Sequence, residues 1–139
     1  MNKIERCLNL ELRKANRVLS QIYDSYLAPC GLKTSQFSIL RAISYLQTTT
    51  NRQLQDVLVI DQTTLSRGLK PLIRDGYITV REGLDRRQKE LLLSKAGKTL
   101  FEEAASHWEA AQRRVEASLG EETKAQLLAL SKAIVKLKV

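Results

Sequence analysis

A single histidine, His107, serves the whole 139-residue chain, and that scarcity removes the commonest route to acid–base catalysis. A nucleophile paired with a base needs histidine or a polarised carboxylate pair, and His107 is the only histidine, so no enzyme is expected. The six glycines are scattered at turns instead of gathered into a phosphate-cradling loop. The two cysteines, Cys7 and Cys30, have a spacing that fits no zinc motif, and no second ligand accompanies His107. Neither a metal nor another cofactor is therefore expected. With no disulfide expected in a reducing compartment, the plainest reading makes both cysteines small buried hydrophobes. No apolar run approaches the ~20 residues of a membrane span. The opening Met1-Asn2-Lys3-Ile4-Glu5-Arg6 lacks the unbroken apolar stretch of a secretory signal. A cytoplasmic protein with no membrane partner is the expectation.

What the chain has is positive charge. Lysine and arginine number 23 against 15 acidic residues, a net charge of +8. Such a surplus favours a polyanionic partner, because lysines and arginines on phosphates release condensed counterions. Residues 31–90 hold ten basic and six acidic side chains, half of the surplus in under half the chain. Hydrophobic residues make up 43%, enough for one globular domain spanning 1–139 without disulfides or metals.

Apolar periodicity divides the chain into four helices, a hairpin and two helices. Ile4, Leu8, Leu12, Ala15, Val18, Leu19, Ile22 and Tyr26 recur at helical steps, closed by Pro29 and Gly31. A second helix is expected from a Thr34/Ser35 cap to about Leu46, with Phe37, Leu40 and Ile43 inward; Gln47 to Thr50 reads as a loop. Asn51 is the expected cap of a third helix burying Leu54, Val57 and Leu58. Asp61 caps a fourth that buries Leu65, Leu69, Leu72 and Ile73, with Pro71 kinking its last turn and Gly76 as its stop. The period then becomes two over Tyr77–Arg81 and Lys89–Leu93, with Gly83 at the bend. Ser94 caps a long helix through Leu100, Phe101, Ala104, Trp108, Ala111 and Val115. Gly120 breaks it before a last helix marked by Leu127, Leu130, Ile134 and Leu137.

Two short capped helices, about three residues apart and followed by a basic hairpin, have a physical use. The second helix can enter the major groove, about 12 Å wide, while the first braces it. Its exposed residues are Gln62, Thr63, Thr64, Ser66, Arg67 and Lys70. Glutamine pairs with adenine edges, arginine with guanine, and hydroxyls with phosphates. The hairpin tip, Asp85-Arg86-Arg87-Gln88-Lys89, can put guanidinium groups into the minor groove, with Asp85 paired to one arginine to aim it. The fold expected is mainly α with a small β-hairpin wing: a winged helix-turn-helix lobe at about 33–95, with N- and C-terminal helices at about 1–30 and 96–139.

Five fragments in order carry a resemblance. Leu32-Lys33-Thr34-Ser35-Gln36-Phe37-Ser38-Ile39-Leu40-Arg41, Asp61-Gln62-Thr63-Thr64-Leu65-Ser66-Arg67, Leu72-Ile73-Arg74-Asp75-Gly76-Tyr77-Ile78 and Asp85-Arg86-Arg87, ending in Leu93-Ser94-Lys95-Ala96-Gly97, resemble the MarR-type regulators. The resemblance implies a homodimer whose terminal helices interlock, a recognition helix at about Asp61–Asp75 and a wing tipped by Asp85-Arg86-Arg87. It further implies sequence-specific binding of double-stranded, pseudo-palindromic operator DNA by a transcription repressor, released by a small phenolic ligand or an oxidant. The alternative reading keeps the winged helix but makes it a protein-interaction module; the arginines of the wing tip argue against it.

The signal is less legible. Cys7 has Arg6 beside it and a helix start nearby, a setting that suits an oxidant sensor, with Cys30 as a candidate resolving partner. The peroxide-sensing branch that Cys7 resembles carries its cysteine about two residues further on, where Asn9 stands. Arg13 and Thr34 stand where that branch has two tyrosines. The competing sensor is a ligand pocket walled by Tyr23, Tyr26, Phe37, Tyr45 and Trp108, although at helical spacing each suits a core equally well.

Overall fold

The computed structural model describes residues 6–139. Ile4, which the periodicity places in the first helix, lies outside them. Helix α1 (Leu8–Leu27) ends in a short 3-10 turn, Ala28–Cys30, and Gly31 leaves that turn in the left-handed region at φ 70°. Helices α2 (Thr34–Leu46), α3 (Asn51–Leu58) and α4 (Gln62–Arg74) follow, then strands β1 (Ile78–Glu82) and β2 (Lys89–Leu93), then α5 (Lys95–Val135). At Gly120 the backbone of α5 leaves helical geometry (φ 81°, ψ 165°), a conformation essentially reserved for glycine. The expected break is there, with helix on either side of it.

Two of the four expected helix caps are one residue earlier than the sequence suggests. Lys33, not Thr34, precedes α2, and its N–H donates to Gln36 Oε1 at 3.0 Å. Thr34 N–H is free to reach back across the corner to Asp24 Oδ1 at 2.7 Å, which ties α1 to α2. Thr50, not Asn51, caps α3 by accepting from Gln53 N–H. The two expected caps Asp61 and Ser94 are in place, accepting from Thr64 N–H and Gly97 N–H. Pro71 does not interrupt α4, which remains one helix to Arg74.

One core gathers Leu27, Leu32, Phe37, Ile39, Leu40, Ile43, Leu54, Leu65, Leu69, Leu72, Ile78, Leu91, Leu93 and Ala104. The aromatic part of it is a stack. Phe37 lies 5.5 Å from Phe101 and 5.9 Å from Trp108, joining α2 to α5, and the Arg41 guanidinium covers Trp108 at 4.8 Å. Two apolar residues assigned inward point out instead: Val57 is 53% exposed and Ile73 38%. Leu54 and Leu72 hold the inward positions of their helices, and Val57 and Ile73 lie at the edges of those stripes. Leu8, Leu12 and Val18 of α1 are likewise exposed, as are Leu128, Leu130, Val135 and Leu137 near the C-terminus.

β1 and β2 pair antiparallel with Ile78 opposite Leu93 and Glu82 opposite Lys89; strand pairing starts at Ile78 instead of Tyr77. The segment expected to be a loop adds a third, one-residue rung. Thr49 N–H donates to Leu91 O at 3.0 Å, Leu91 N–H returns to Thr49 O at 2.7 Å, and Thr49 is buried. Its hydroxyl is not stranded, since it bonds Gln53 Oε1 at 2.8 Å. The hairpin is thereby anchored to the start of α3.

The start of α5 closes against the root of β1. A Cβ on Gly97 would stand 2.0 Å from Tyr77 O, which is backbone and cannot swing away. Gly97→Ala should therefore destabilise the chain by about 1–3 kcal/mol, the usual cost of forcing a methyl into a filled site. Urea unfolding checks this, and an unchanged midpoint would mean that Gly97 and Tyr77 are not in contact.

Candidate nucleic-acid interface

The turn between α3 and α4 is short because two capping events follow each other closely. α3 ends at Leu58, Val59 takes the left-handed region (φ 54°, ψ 51°), and Ile60 N–H bonds back to Gln55 O. Val59 is a β-branched residue at positive φ, an unfavourable choice, and no pattern of hydrophobicity reveals it. Asp61 then restarts the helix. Hydrogen bonds from Thr64, chiefly its backbone N–H, hold the Asp61 carboxyl below the usual carboxylate range.

Leu65, Leu69 and Leu72 anchor α4 in the core, leaving Gln62, Thr63, Thr64, Ser66, Arg67 and Lys70 exposed as expected. At about 100° per residue, the direction opposite the buried leucines falls among Thr63, Lys70, Arg67 and Arg74. Arg74, one turn past Lys70, was missed by sequence reasoning, although the i, i+4 step points to it. It is forked onto Asp75 at 3.0 and 3.3 Å, which holds the Asp75 carboxyl low. Gln62 is pre-positioned: its Oε1 accepts from Gln55 Nε2 at 2.6 Å, and its Nε2 faces Ser66 Oγ at 3.4 Å.

Between α4, the start of α3 and the wing lies a concavity of about 860 Å³. Gln62, Ser66 and Lys70 enter it from the helix, and Arg87 from the wing. Arg52, Arg74 and Lys89 complete a set of five basic side chains, and the lining contains no acidic residue. Arg52 was also missed, because it lies on a helix assigned only a bracing role; Lys89, read with the charged hairpin tip, is the first residue of β2. Thr64 and Arg67 line a separate depression on the α2 side of the same helix, with Gly68 and Pro71. Thr63, Asp85 and Arg86 are exposed outside both.

The wing tip differs from expectation in one respect. Among the described residues Asp85 forms no ion pair with Arg86 or Arg87. Its carboxylate accepts from Arg87 N–H at 3.0 Å, and its carbonyl accepts from Gln88 N–H at 2.9 Å. Asp85 builds the turn, as its short side chain suits it to do, and both guanidinium groups remain unpaired. Further down the hairpin Arg81 pairs with Glu90 directly across the strands at 2.8 Å.

The profile of the MarR family matches residues 32–89, the stretch from α2 into the wing. MosR, a transcriptional regulator of Mycobacterium tuberculosis solved in complex with DNA, is 33% identical, superposes with a TM-score of 0.82 and covers 95% of this chain and 100% of its own. The chain belongs to the MarR family. An uncharacterised HTH-type transcriptional regulator of Bacillus subtilis, YwoH, is 27% identical over 103 residues, covering 74% of this chain and 75% of that protein. A cysteine-to-serine mutant of Escherichia coli MarR complexed with operator DNA shares the fold at 21% identity and a TM-score of 0.85, over 96% of this chain and 99% of its own. The MarR family consists of transcription regulators, which are not enzymes.

The sites considered for the signal in this MarR-family chain fare unevenly. Cys7 is exposed at the N-cap of α1, not buried, and Cys30 is half-buried beyond the other end. Twenty residues of helix hold them roughly 30 Å apart, whereas a disulfide needs Cα atoms within about 7 Å, so Cys30 cannot resolve Cys7 within one chain. Burial and the nearby Glu103 carboxylate push the Cys30 thiol above its ordinary value. The five aromatic candidates for a ligand pocket differ in their surroundings. Phe37 is in the core, Tyr45 is 87% exposed, and Tyr23 OH bonds Gln112 Oε1. None of Tyr23, Tyr26, Phe37, Tyr45 and Trp108 lines the concavity beside the wing or the depression on the α2 side of α4. His107, for which sequence offered no companion ligand, lies beside Cys30 and Glu103, with their donor atoms within 4.8 Å of one another.

Treating the reduced chain with a thiol oxidant should give no intrachain disulfide. A faster-migrating monomer on a non-reducing denaturing gel, lost in Cys30→Ser, would contradict the separation. Asp61 has a depressed folded-state value, so its capping contribution is complete above the ordinary aspartate range and is lost as pH falls through the lower folded value. Carboxyl NMR should find Asp61 titrating below that range, whereas titration at or above it would mean that the cap is not formed.

Proposed function

We propose that this chain is a homodimeric repressor that binds a pseudo-palindromic operator in double-stranded DNA and releases it on meeting a small-molecule ligand or an oxidant. The observation that carries the reading is the concavity between α4 and the wing, in which every charged lining residue is basic. A duplex presents phosphates on both sides of each groove, and a surface lined by Arg52, Lys70, Arg74, Arg87 and Lys89 is complementary to it. The lining carries no aromatic side chain, which disfavours stacking on unpaired bases.

In this reading α4 enters the major groove. Gln62, Thr63, Ser66, Arg67 and Lys70 face base edges and flanking phosphates, and Thr64 lies at the rim. Arg86 and Arg87 reach the neighbouring minor groove, held at the tip by the turn that Asp85 closes. Dimerisation draws its support from the apolar side chains that α1 and the end of α5 leave exposed, Leu8, Val18, Leu128 and Leu130 among them. Two heads about 34 Å apart would then meet successive major-groove faces. For the oxidant arm, Cys7 is the accessible thiol.

Gel-shift titration against a duplex from the region upstream of the encoding gene tests this. Arg67→Ala should weaken binding by about 1–3 kcal/mol and relax discrimination at one base position. Arg52→Ala and Arg86→Ala should weaken it on all sequences, each lowering the salt slope by about 0.9 for a lost phosphate contact, with the dimer intact by sedimentation. Equal affinity and slope in all three variants would sink the assignment of this face.

A further inference from the structure

Cys30, Glu103 and His107 come from two parts of the chain that the sequence does not connect. Glu103 and His107 are four residues apart on α5 and so share one face of the helix. Cys30 closes the 3-10 turn after α1, which packs against that face. The result is a thiol, a carboxylate and an imidazole whose ligating atoms all lie within 4.8 Å of one another. Cys30 and His107 are half-buried and Glu103 is exposed, so the cluster is walled on one side and open on the other.

We propose that these three side chains bind a divalent transition metal of the zinc class. Sulfur, nitrogen and oxygen donors in one set suit a borderline-soft cation and disfavour magnesium or calcium, which take oxygen alone. With metal–ligand bonds of about 2.0–2.3 Å, a tetrahedral ion needs its donors about 3.5 Å apart. The cluster must contract by roughly 1 Å, which side-chain rotation supplies, because Glu103 has free space around it. Three protein ligands leave a fourth position on the open side for water or an exchangeable ligand. A bound ion would clip the α1–α2 corner to α5, next to Trp108 and its stack with Phe37. The site is independent of the DNA-facing surface and stands whether or not that surface binds DNA.

Cobalt(II) added to the full-length, reduced, metal-free chain tests it, with zinc(II) as competitor. One equivalent per chain should produce a thiolate-to-cobalt charge-transfer band, and zinc should abolish it. Cys30→Ser should remove the band, and Glu103→Gln and His107→Ala should each weaken binding about tenfold or more, since even indirect supports of a metal are worth that much. Cys7→Ser should change nothing. Glu103 is exposed, so its variant keeps the test valid if either of the others fails to fold. A band that depends on Cys7, binding that survives Glu103→Gln undiminished, or no saturable binding by the parent chain would each overturn the site.

Discussion

The molecule is held in register by a knot of backbone at Gly76, Tyr77, Ser94 and Gly97. Tyr77 N–H closes the end of α4 on Leu72 O, and Tyr77 O accepts from Ser94 N–H at 3.0 Å. The Ser94 hydroxyl donates to Gly76 O while accepting from Gly97 N–H at 3.0 Å. Gly76 takes φ 81°, which turns the chain out of α4, and Gly97 lets α5 touch the Tyr77 carbonyl. Four residues thus fix the exit of α4, the root of both strands and the entry of α5. The basic concavity exists only because the wing leaves this knot at one angle and α4 reaches it at another.

The charge on that surface depends on pairing elsewhere. Arg81, nearer the root of the hairpin, is matched to Glu90, and Arg74 is forked onto Asp75. Exposed pairs of this kind add little stability. Their effect is to engage the carboxylates of Asp75 and Glu90 beside the concavity, at the cost of Arg74's own free charge, while Arg52, Lys70, Arg87 and Lys89 have no acidic neighbour in its lining. Asp85 belongs to the same economy of charge, since its carboxylate is engaged by a backbone N–H and leaves both tip arginines unpaired.

Sequence made the fold legible where one residue type has one physical use. Asp61 and Ser94 announce helix starts, the leucines of α4 announce its buried side, and alternation announces β2. It failed where the cause is tertiary. Thr49 sits in a polar run that reads as loop, yet it is buried because Leu91 supplies it with a strand partner. Val57 and Ile73 look inward by spacing alone, but their helices are satisfied by Leu54 and Leu72. The candidate site was half visible. Exposed polar residues on α4 followed from periodicity, whereas Arg52 and Lys89 join them only once the hairpin folds over α3. Cys30 and His107 stand 77 positions apart, and nothing local could have brought them together.

A regulator must pass a signal from where it arrives to the surface it controls, and here the route is short. α1 packs along α5, with Ala104 and Ala111 fully buried and Val115 nearly so. Small side chains at such positions allow close approach and resist sliding, because a close-packed contact has few alternative arrangements. From α5 the stack of Trp108, Phe37 and Phe101 leads into α2, and the knot at Ser94 leads to α4 and the wing. Because that contact resists sliding, a movement of the α1–α5 pair would, under the proposed function, carry α2, α4 and the wing with it as one body. Under the proposed function, nothing would need to deform within the concavity for its position relative to a second copy to change, which would leave switching to the terminal helices and reading to α4 and the wing.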